Sequence, residues 1–527
     1  MSRNRFQDLK TAFPATLSLL PLHCLDQLEA DPPEEESLVQ RIGDLDLQEV
    51  PFAIDLARLE QAVLECGRFR PTEAANPEQR SLNPSLQLLQ LQWKGLPRFL
   101  QSNQKRAAIP PERGEDRALV WRHPRSGEVR SKSAAPEDLL SLKIVAEGLS
   151  AEAVAREQQL PPAAISRLLF SKQKEGLLLG PRTALRRDPI RIPRREPWTA
   201  PYEEADIFTL QWHVTQACDL HCRHCYDRSE RSRLSLERGL WVIEELKRFC
   251  AERRVQGQIS FTGGNPLLHP HFEAFYRAAS DAGFVLAILG NPADRATLER
   301  LLAIQRPAFY QVSLEGLEEH NDYIRQPGHF QRVQGFLALL RDLGVRSQVM
   351  LTLTEANLEE VLPLAEQLRD LADRFTFNRL SLVGEGAALR LPSPQAYHSF
   401  MKRYLEAEKQ TPHLGLKDNL LNALLSEAGQ PVFGGCTGFG CGAAFNFVSL
   451  LPDGEVHACR KFPSQLGNIF SSSLGQLYDS RQAQAYRNGP QACRECSLLP
   501  VCGGCLAVTH SLGLQETRDM DPFCPLG

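Results

Sequence analysis

The chain has no long apolar run. Nothing in it approaches the roughly 20 residues needed to cross a bilayer, so no membrane association is expected. The opening residues, Met1-Ser-Arg-Asn-Arg-Phe6, lack the apolar core of a secretory signal, and the expected location is cytoplasmic. A charge bias is missing as well. Lys and Arg number 60 against 64 Asp and Glu, a formal net charge of −4, which gives no general attraction to nucleic acid or an anionic membrane. What remains is an ordinary globular composition, 42% hydrophobic and 24% charged. With 527 residues there is room for three or four domains with cores of their own.

Cysteine is distributed unevenly. The chain has 14, and in a reducing compartment they are not expected to form disulfides. Eleven fall into two groups of metal-ligand type, three near the middle and eight near the C-terminal end. Cys24, Cys66 and Cys250 lie in or beside apolar segments and are expected to be small core residues.

The central group is Cys218-Asp219-Leu220-His221-Cys222-Arg223-His224-Cys225-Tyr226. Three thiolates on one short loop can hold three irons of a 4Fe-4S cluster and leave the fourth iron open to a reactant. A closed zinc site, with His221 or His224 as a further ligand, is the competing reading.

The Cys-x3-Cys-x2-Cys spacing resembles the signature loop of the radical S-adenosylmethionine (radical SAM) superfamily. The resemblance implies that the open iron chelates the amino and carboxylate groups of S-adenosylmethionine. Cleavage then gives methionine and a 5′-deoxyadenosyl radical, which abstracts hydrogen from a substrate. His224 stands where the family usually has an aromatic residue.

From Ile207 onward, short β-branched runs alternate with amphipathic helices, the pattern of a parallel sheet with helical crossovers. Strands are expected at 208–214, 258–261, 284–289, 309–314, 347–352 and 378–383. Six such units suggest an α/β fold, a partial (β/α)6 TIM-like barrel with its functional loops at the C-terminal strand ends. After the second strand, Thr262-Gly263-Gly264-Asn265-Pro266 resembles the family's Gly-Gly-Glu-Pro loop, with Asn265 replacing Glu. The resemblance implies contact with the methionine amino group, and paired glycines let backbone approach a ligand closely. Gly290-Asn291 reverses the family's Asn-Gly turn and is assigned no role. Ser313-Leu314-Glu315-Gly316 resembles the segment near the ribose. Arg325 is a candidate fork for the methionine carboxylate, and the loop opening at Val383 is a candidate adenine contact. Asp227, Glu315 and Glu385 are candidate acids or bases.

Residues 1–105 read as helical, with Phe52, Leu56, Leu59 and Val63, and again Leu86, Leu89 and Trp93, at helical spacing. In 106–180 a β-hairpin, Ala118–Arg122 and Glu128–Ser131 around Ser126-Gly127, precedes three helices, the third opened by Pro161-Pro162. This resembles a winged helix-turn-helix. Its hairpin edge could capture an extended peptide as an added strand, like the domains that hold the leader of a precursor peptide. Its third helix could instead meet DNA phosphates through Arg167, Lys172 and Lys174. Residues 181–200 alternate proline with arginine and read as a stiff linker. The barrel is expected over 201–395 and a helical connection over 396–430.

Residues 431–527 hold Cys436, Cys441, Cys459, Cys493, Cys496, Cys502, Cys505 and Cys524, a thiolate density that means iron-sulfur or zinc. Their spacing, with the turn Pro452-Asp453-Gly454, resembles the SPASM extension of radical SAM enzymes that modify peptides and proteins. Gly503-Gly504 shortens the usual spacer before Cys505 by one residue. The resemblance implies two fully ligated 4Fe-4S clusters, one on Cys436, Cys441, Cys459 and Cys505 and one on Cys493, Cys496, Cys502 and Cys524. That makes three clusters in all.

The whole chain is similar to the maturases associated with thio(seleno)oxazole peptide modification. The expected activity is radical oxidation of a ribosomally made precursor peptide, forming a crosslink or heterocycle, with an electron donor such as flavodoxin or ferredoxin. Oxidation of Ser or Cys on a partner protein is the second reading, and a cluster-bearing DNA-binding regulator the third.

Overall fold

The computed structural model describes residues 2–70, 79–103, 110–158, 160, 162–192 and 201–527. The chain divides into two compact units, Met1–Arg182 and Thr183–Gly527.

The first unit opens with five helices, the last of them Ala53–Arg68. Strands β1 (Ser81–Leu82) and β2 (Gln87–Lys94) follow, so the helical reading does not hold to residue 105. Leu89 and Trp93 are four apart, a spacing that one helix face and one strand face share. Here they flank the fully buried Leu91 on the face of β2 turned toward the helix. β2 pairs with β3 (Glu112–Arg122), which pairs with β4 (Val129–Ser133), all antiparallel. Alternate residues of β3 serve two cores. Ala118 and Val120 pack with Leu56, Leu59 and Cys66, and Leu119 and Trp121 pack with Leu142, Val154, Ile165 and Leu169. These last belong to helices Pro136–Ala146, Ala151–Glu157 and Pro162–Glu175; Pro161 lies outside the described residues. A division at 105/106 would therefore cut one sheet. Strand β5 (Leu178–Leu179) returns to pair with β1.

Lys172 is not held out to meet a phosphate. It pairs with Asp138, whose side chain is 1% exposed, and with Glu175. Strand β4 is an edge of its sheet, and its Ser131 carbonyl accepts from Gln101 Nε2 at 2.8 Å.

The second unit begins inside the stretch read as a linker. Thr183, Leu185, Arg187 and Ile192 are buried. The Arg187 guanidinium donates to the Arg487 and Phe439 carbonyls and lies 4.1 Å from the Phe445 ring centroid. Residues 193–200 lie outside the described residues. Six parallel strands then follow in sequence order: β6 (Ile207–Thr215), β7 (Gln256–Gly263), β8 (Val285–Leu289), β9 (Tyr310–Ser313), β10 (Ser347–Leu353) and β11 (Phe375–Arg379). The sixth starts three residues before its expected position. Phe375 and Phe377 supply its buried face, and the apolar residues Leu380, Leu382 and Val383 have already left the sheet. Strands β12 (Phe447–Leu450), β13 (Glu455–His457) and β14 (Gln465–Asn468) extend the same sheet, β12 pairing parallel with β6.

The two faces of this sheet differ. Leu210, Trp212, Ile259, Phe261, Tyr310, Val312, Val349, Leu351, Phe375 and Phe377 join the helices in the main core. The opposite face carries polar side chains that meet one another: Gln258 Nε2 donates to Ser260 Oγ, Gln348 Nε2 to Gln311 Oε1, Asn378 Nδ2 to Met350 Sδ and Ser449 Oγ to Gln211 Oε1. Parallel strands covered on both faces are usually apolar throughout. This alternation marks a polar inner surface. No helix among the described residues is long and apolar enough to cross a membrane.

Candidate active site

The three central thiols lie on the loop leaving the C-terminal end of β6. Neighbouring backbone holds that loop: Arg223 N donates to the Ile324 carbonyl at 2.9 Å, and the Arg223 side chain donates to the Tyr323 carbonyl and lies 4.3 Å from the Tyr323 ring. Each thiol has a polar contact. Asn291 Nδ2 is 3.6 Å from Cys218 Sγ, Arg325 Nη1 is 3.3 Å from Cys222 Sγ, and the Cys225 thiol donates to the Asp227 carbonyl at 3.3 Å.

The Gly-Gly-Asn-Pro loop is fastened to the stem of this loop. Gly264 N donates to the Thr215 carbonyl at 2.9 Å and Asn265 N to the Ala217 carbonyl at 2.7 Å. A Cβ on Gly263, whose φ is +144°, would stand 2.2 Å from Thr215 O, and one on Gly264 would stand 2.2 Å from Ala217 O. The paired glycines thus serve backbone-to-backbone packing, which differs from the expected approach of backbone to a ligand. Asn265 Oδ1 caps the turn through Leu267 N, next to the buried Pro266, and Asn265 Nδ2 donates to Asp219 at 3.1 Å. Asn291 also donates to Asp219. It had no role in the sequence reading, yet it touches both Asp219 and Cys218, and the Tyr310 hydroxyl donates to its carbonyl at 2.7 Å. Its place at the end of the third strand was the available signal.

Glu315 and Arg325 come together in a way that changes both expectations. The Glu315 side chain is 2% exposed and the Arg325 side chain 12%, and they form an ion pair. Glu315 Oε2 also accepts from Thr352 N at 2.8 Å, and His224 Nε2 stands 3.4 Å from Oε1. Burial pushes the Glu315 carboxyl up, but His224 and Arg325 more than offset this and hold it below the usual range. All three Arg325 nitrogens are engaged, two by Glu315 and one by Cys222, so Arg325 is a cation beside a thiol and not an open carboxylate fork. Ser313 is half-buried at the end of β9. Val383 opens a turn in which Gly384 (φ +57°) packs on the Cys225 carbonyl, which accepts from Glu385 N at 2.9 Å.

The other candidate acids and bases are occupied or exposed. Asp227 accepts from Gln216 Nε2 at 2.7 Å, Ser229 N at 2.9 Å, Ser229 Oγ at 2.7 Å and Arg460. These partners outweigh its burial and hold its carboxyl well below the usual range. That suits an anchor and not a base. The Glu385 side chain is 54% exposed, 3.7 Å from Arg228. His213 of β6 was missed. Burial takes its imidazole down to about 3, and its Nε2, like Nδ1 of His224, is buried without a partner among the described residues.

The eight C-terminal thiols come together in two sets. Burial pushes Cys441 up to about 12, with Cys505, Cys459 and Cys436 adding to the effect; Cys459, up to about 11, feels Cys505 and Cys436. Burial takes Cys493 to about 12 with help from Cys496 and Cys524, and Cys502 feels Cys524 and Cys493. The short spacer before Cys505 is accommodated by two consecutive left-handed glycines, Gly503 (φ +66°) and Gly504 (φ +61°). Buried thiols that repel one another's charge suit a cationic cluster that binds them as thiolates. Among the described residues no three His, Cys, Asp or Glu side chains converge as a single metal ion requires, and a cluster, whose thiolates bind separate irons, asks for wider spacing.

Family models match this chain twice. The radical SAM superfamily matches residues 212–368 and the SPASM iron-sulfur cluster-binding domain residues 441–505. The AdoMet-dependent heme synthase of Methanosarcina barkeri is 26% identical over 346 residues, 60% of this chain and 95% of that protein. The subtilosin biosynthesis protein AlbA of Bacillus subtilis is 26% identical over 308 residues, 55% of this chain and 65% of that protein. Streptococcus suis SuiB, solved with its precursor peptide SuiA, superposes with a TM-score of 0.50 at 14% identity, covering 78% of this chain and 96% of that one. The radical SAM domain binds a 4Fe-4S cluster and S-adenosylmethionine, and the SPASM domain binds auxiliary iron-sulfur clusters. The chain carries a radical SAM domain followed by a SPASM domain.

Proposed function

We propose that this enzyme oxidatively modifies a ribosomally made peptide. Its relatives include heme synthases as well as a bacteriocin biosynthesis protein, and the inner face of the barrel favours the peptide. Gln211, Gln258, Gln311, Gln348 and Asn378 put paired donors and acceptors on that face, and a carboxamide matches the hydrogen-bonding groups of a peptide bond. Strands β6 to β10 contain no Lys or Arg. Arg379 of β11 lies on the other face, in register with the core residue Leu353. A propionate-bearing macrocycle asks for cations. The first unit adds a second support, because the edge strand β4 can take an extended segment once Gln101 gives up the Ser131 carbonyl.

In this reading Cys218, Cys222 and Cys225 hold the catalytic cluster, and the two C-terminal thiol sets hold the auxiliary ones. The bound cluster and S-adenosylmethionine supply a primary carbon radical. The residues around it position and shield. Asp219, held by Asn265 and Asn291, fixes the first turn of the thiol loop. Arg325 places positive charge against Cys222. Four protein thiols per auxiliary set leave no iron for substrate, which assigns those sets to electron transfer. The test is anaerobic incubation with a synthetic peptide matching a short reading frame beside the gene, with iron-coproporphyrin and a folded Ser- or Cys-bearing protein in parallel arms. Peptide-stimulated release of 5′-deoxyadenosine and an oxidised peptide by mass spectrometry are expected. Stimulation by the porphyrin or the folded protein alone refutes the reading.

A further inference from the structure

A cavity of about 440 Å³ opens in the second unit away from the thiol loop, lined by Arg191, Arg481 and Arg494 with Gln484, Asn488 and Gln491. Among the described residues no carboxylate lines it, and none pairs with Arg191 or Arg481. Its position relative to the cysteines is specific. Gln491 and Arg494 bracket Cys493 in sequence, and Ile192, next to Arg191, packs on Cys493 and Leu499. Cys493 is 9% exposed and Cys496 half-buried, so the second C-terminal thiol set comes close to the surface under this recess. A chain with a net charge of −4 repels an acidic partner as a whole, and a local basic recess gives such a partner one place to land.

We propose that the Arg191–Arg481–Arg494 recess docks the acidic face of a one-electron carrier protein and passes its electron to the cluster held by Cys493, Cys496, Cys502 and Cys524. The proposal rests on the auxiliary-cluster reading above. One electron leaves the reduced carrier and enters the oxidised cluster, and no bond or proton changes place. The substrate itself is handled elsewhere, at the thiol loop.

The test follows bleaching of cluster absorbance in the reconstituted full chain, mixed anaerobically with a reduced acidic 2Fe-2S ferredoxin or with dithionite. For the unmodified protein the ferredoxin rate should fall steeply as salt rises. Arg191→Glu with Arg481→Glu should slow it at least tenfold at low salt and flatten the salt dependence, with the dithionite rate and amplitude unchanged. The milder Arg191→Gln with Arg481→Gln should fall between, and it carries the test if the reversed pair fails to fold. A ferredoxin rate and salt slope equal to the unmodified protein's in the glutamine pair and the glutamate pair overturn the docking site. Cys493→Ser separates the two ideas: loss of part of the dithionite amplitude supports a cluster there, and an unchanged amplitude removes the cluster and the proposal with it.

Discussion

Replacing Gly264 with alanine tests the connection between the Gly-Gly-Asn-Pro loop and the three thiols. Gly264 does not have a left-handed φ, so alanine meets no backbone strain there and only space is at issue. Its Cβ would stand 2.2 Å from the Ala217 carbonyl oxygen, 2.6 Å from its carbon and 2.7 Å from the Gln216 oxygen, where real contacts begin near 3.0 Å. The backbones must part by close to an ångström, which takes the 2.7 Å bond from Asn265 N to Ala217 O to the far edge of hydrogen-bonding range. Losing that bond costs about 1 kcal/mol and the overpacking about 1–3 kcal/mol. The displacement falls on Ala217, the residue before Cys218. The expected result is a lower urea midpoint, loss of iron from the central loop with the C-terminal iron retained, and cleavage of S-adenosylmethionine slowed at least tenfold. Iron content and cleavage rate equal to those of the unmodified protein would refute the packing argument.

Gly335→Ala should act in the opposite direction: Gly335 lies within helix His329–Asp342, and its added Cβ meets nothing within 4 Å. A gain of about 0.5–1 kcal/mol is expected, read as a raised urea midpoint. Glu315→Gln leaves the Arg325 cation, 12% exposed, without its carboxylate, and should cost about 3 kcal/mol in denaturant unfolding. In the first unit Asp138 accepts from Ala135 N at 2.8 Å and pairs with Lys132 and Lys172. These partners outweigh burial and hold its carboxyl below the ordinary range. Its stabilisation is therefore present at neutral pH, complete above the ordinary carboxylate range, and lost as pH falls through the depressed value. Asp138→Asn should cost about 2 kcal/mol at pH 7 and reduce the acid sensitivity of unfolding, measured by denaturant titration at several pH values.

The parallel sheet was legible because five of its six strands carry apolar residues in short alternating or continuous runs, a signal that is local in sequence. The sixth misled because Leu380, Leu382 and Val383 continue the apolar pattern past the point where Arg379 turns to Asp418 and Asp521, a choice made by residues far along the chain. Leu89 and Trp93 misled because a spacing of four fits two periodicities. Among site residues the thiols were legible by spacing alone. Motif resemblance could point to Glu315 and Arg325 but not to their partners, since a pairing of two side chains ten residues apart depends on how the loop closes. Asn291 was marked only by its place at the end of the third strand, and its partners are visible only once the fold brings it to Cys218 and Asp219.

A barrel of six strands has two open margins, and unpaired strand edges are costly to leave exposed. Here the cysteine-bearing segment meets both. At one margin β12 pairs with β6 from Phe447↔Thr209 to Leu450↔Trp212. At the other, Arg379 ends β11 with its side chain 1% exposed, bonded to both oxygens of Asp521 at 3.0 and 2.6 Å and to Asp418 at 2.8 Å. Asp521 in turn accepts from Cys505 N at 2.8 Å, so the same buried carboxylate fixes a barrel strand and a thiol of the first C-terminal set. A boundary between barrel and cysteine domain thus has little physical content in this chain. The first thiol set is tied to the sheet through Asp521, which joins Cys505 N to the end of β11. For the electron transfer proposed above, such a tie fixes a distance on which the rate depends.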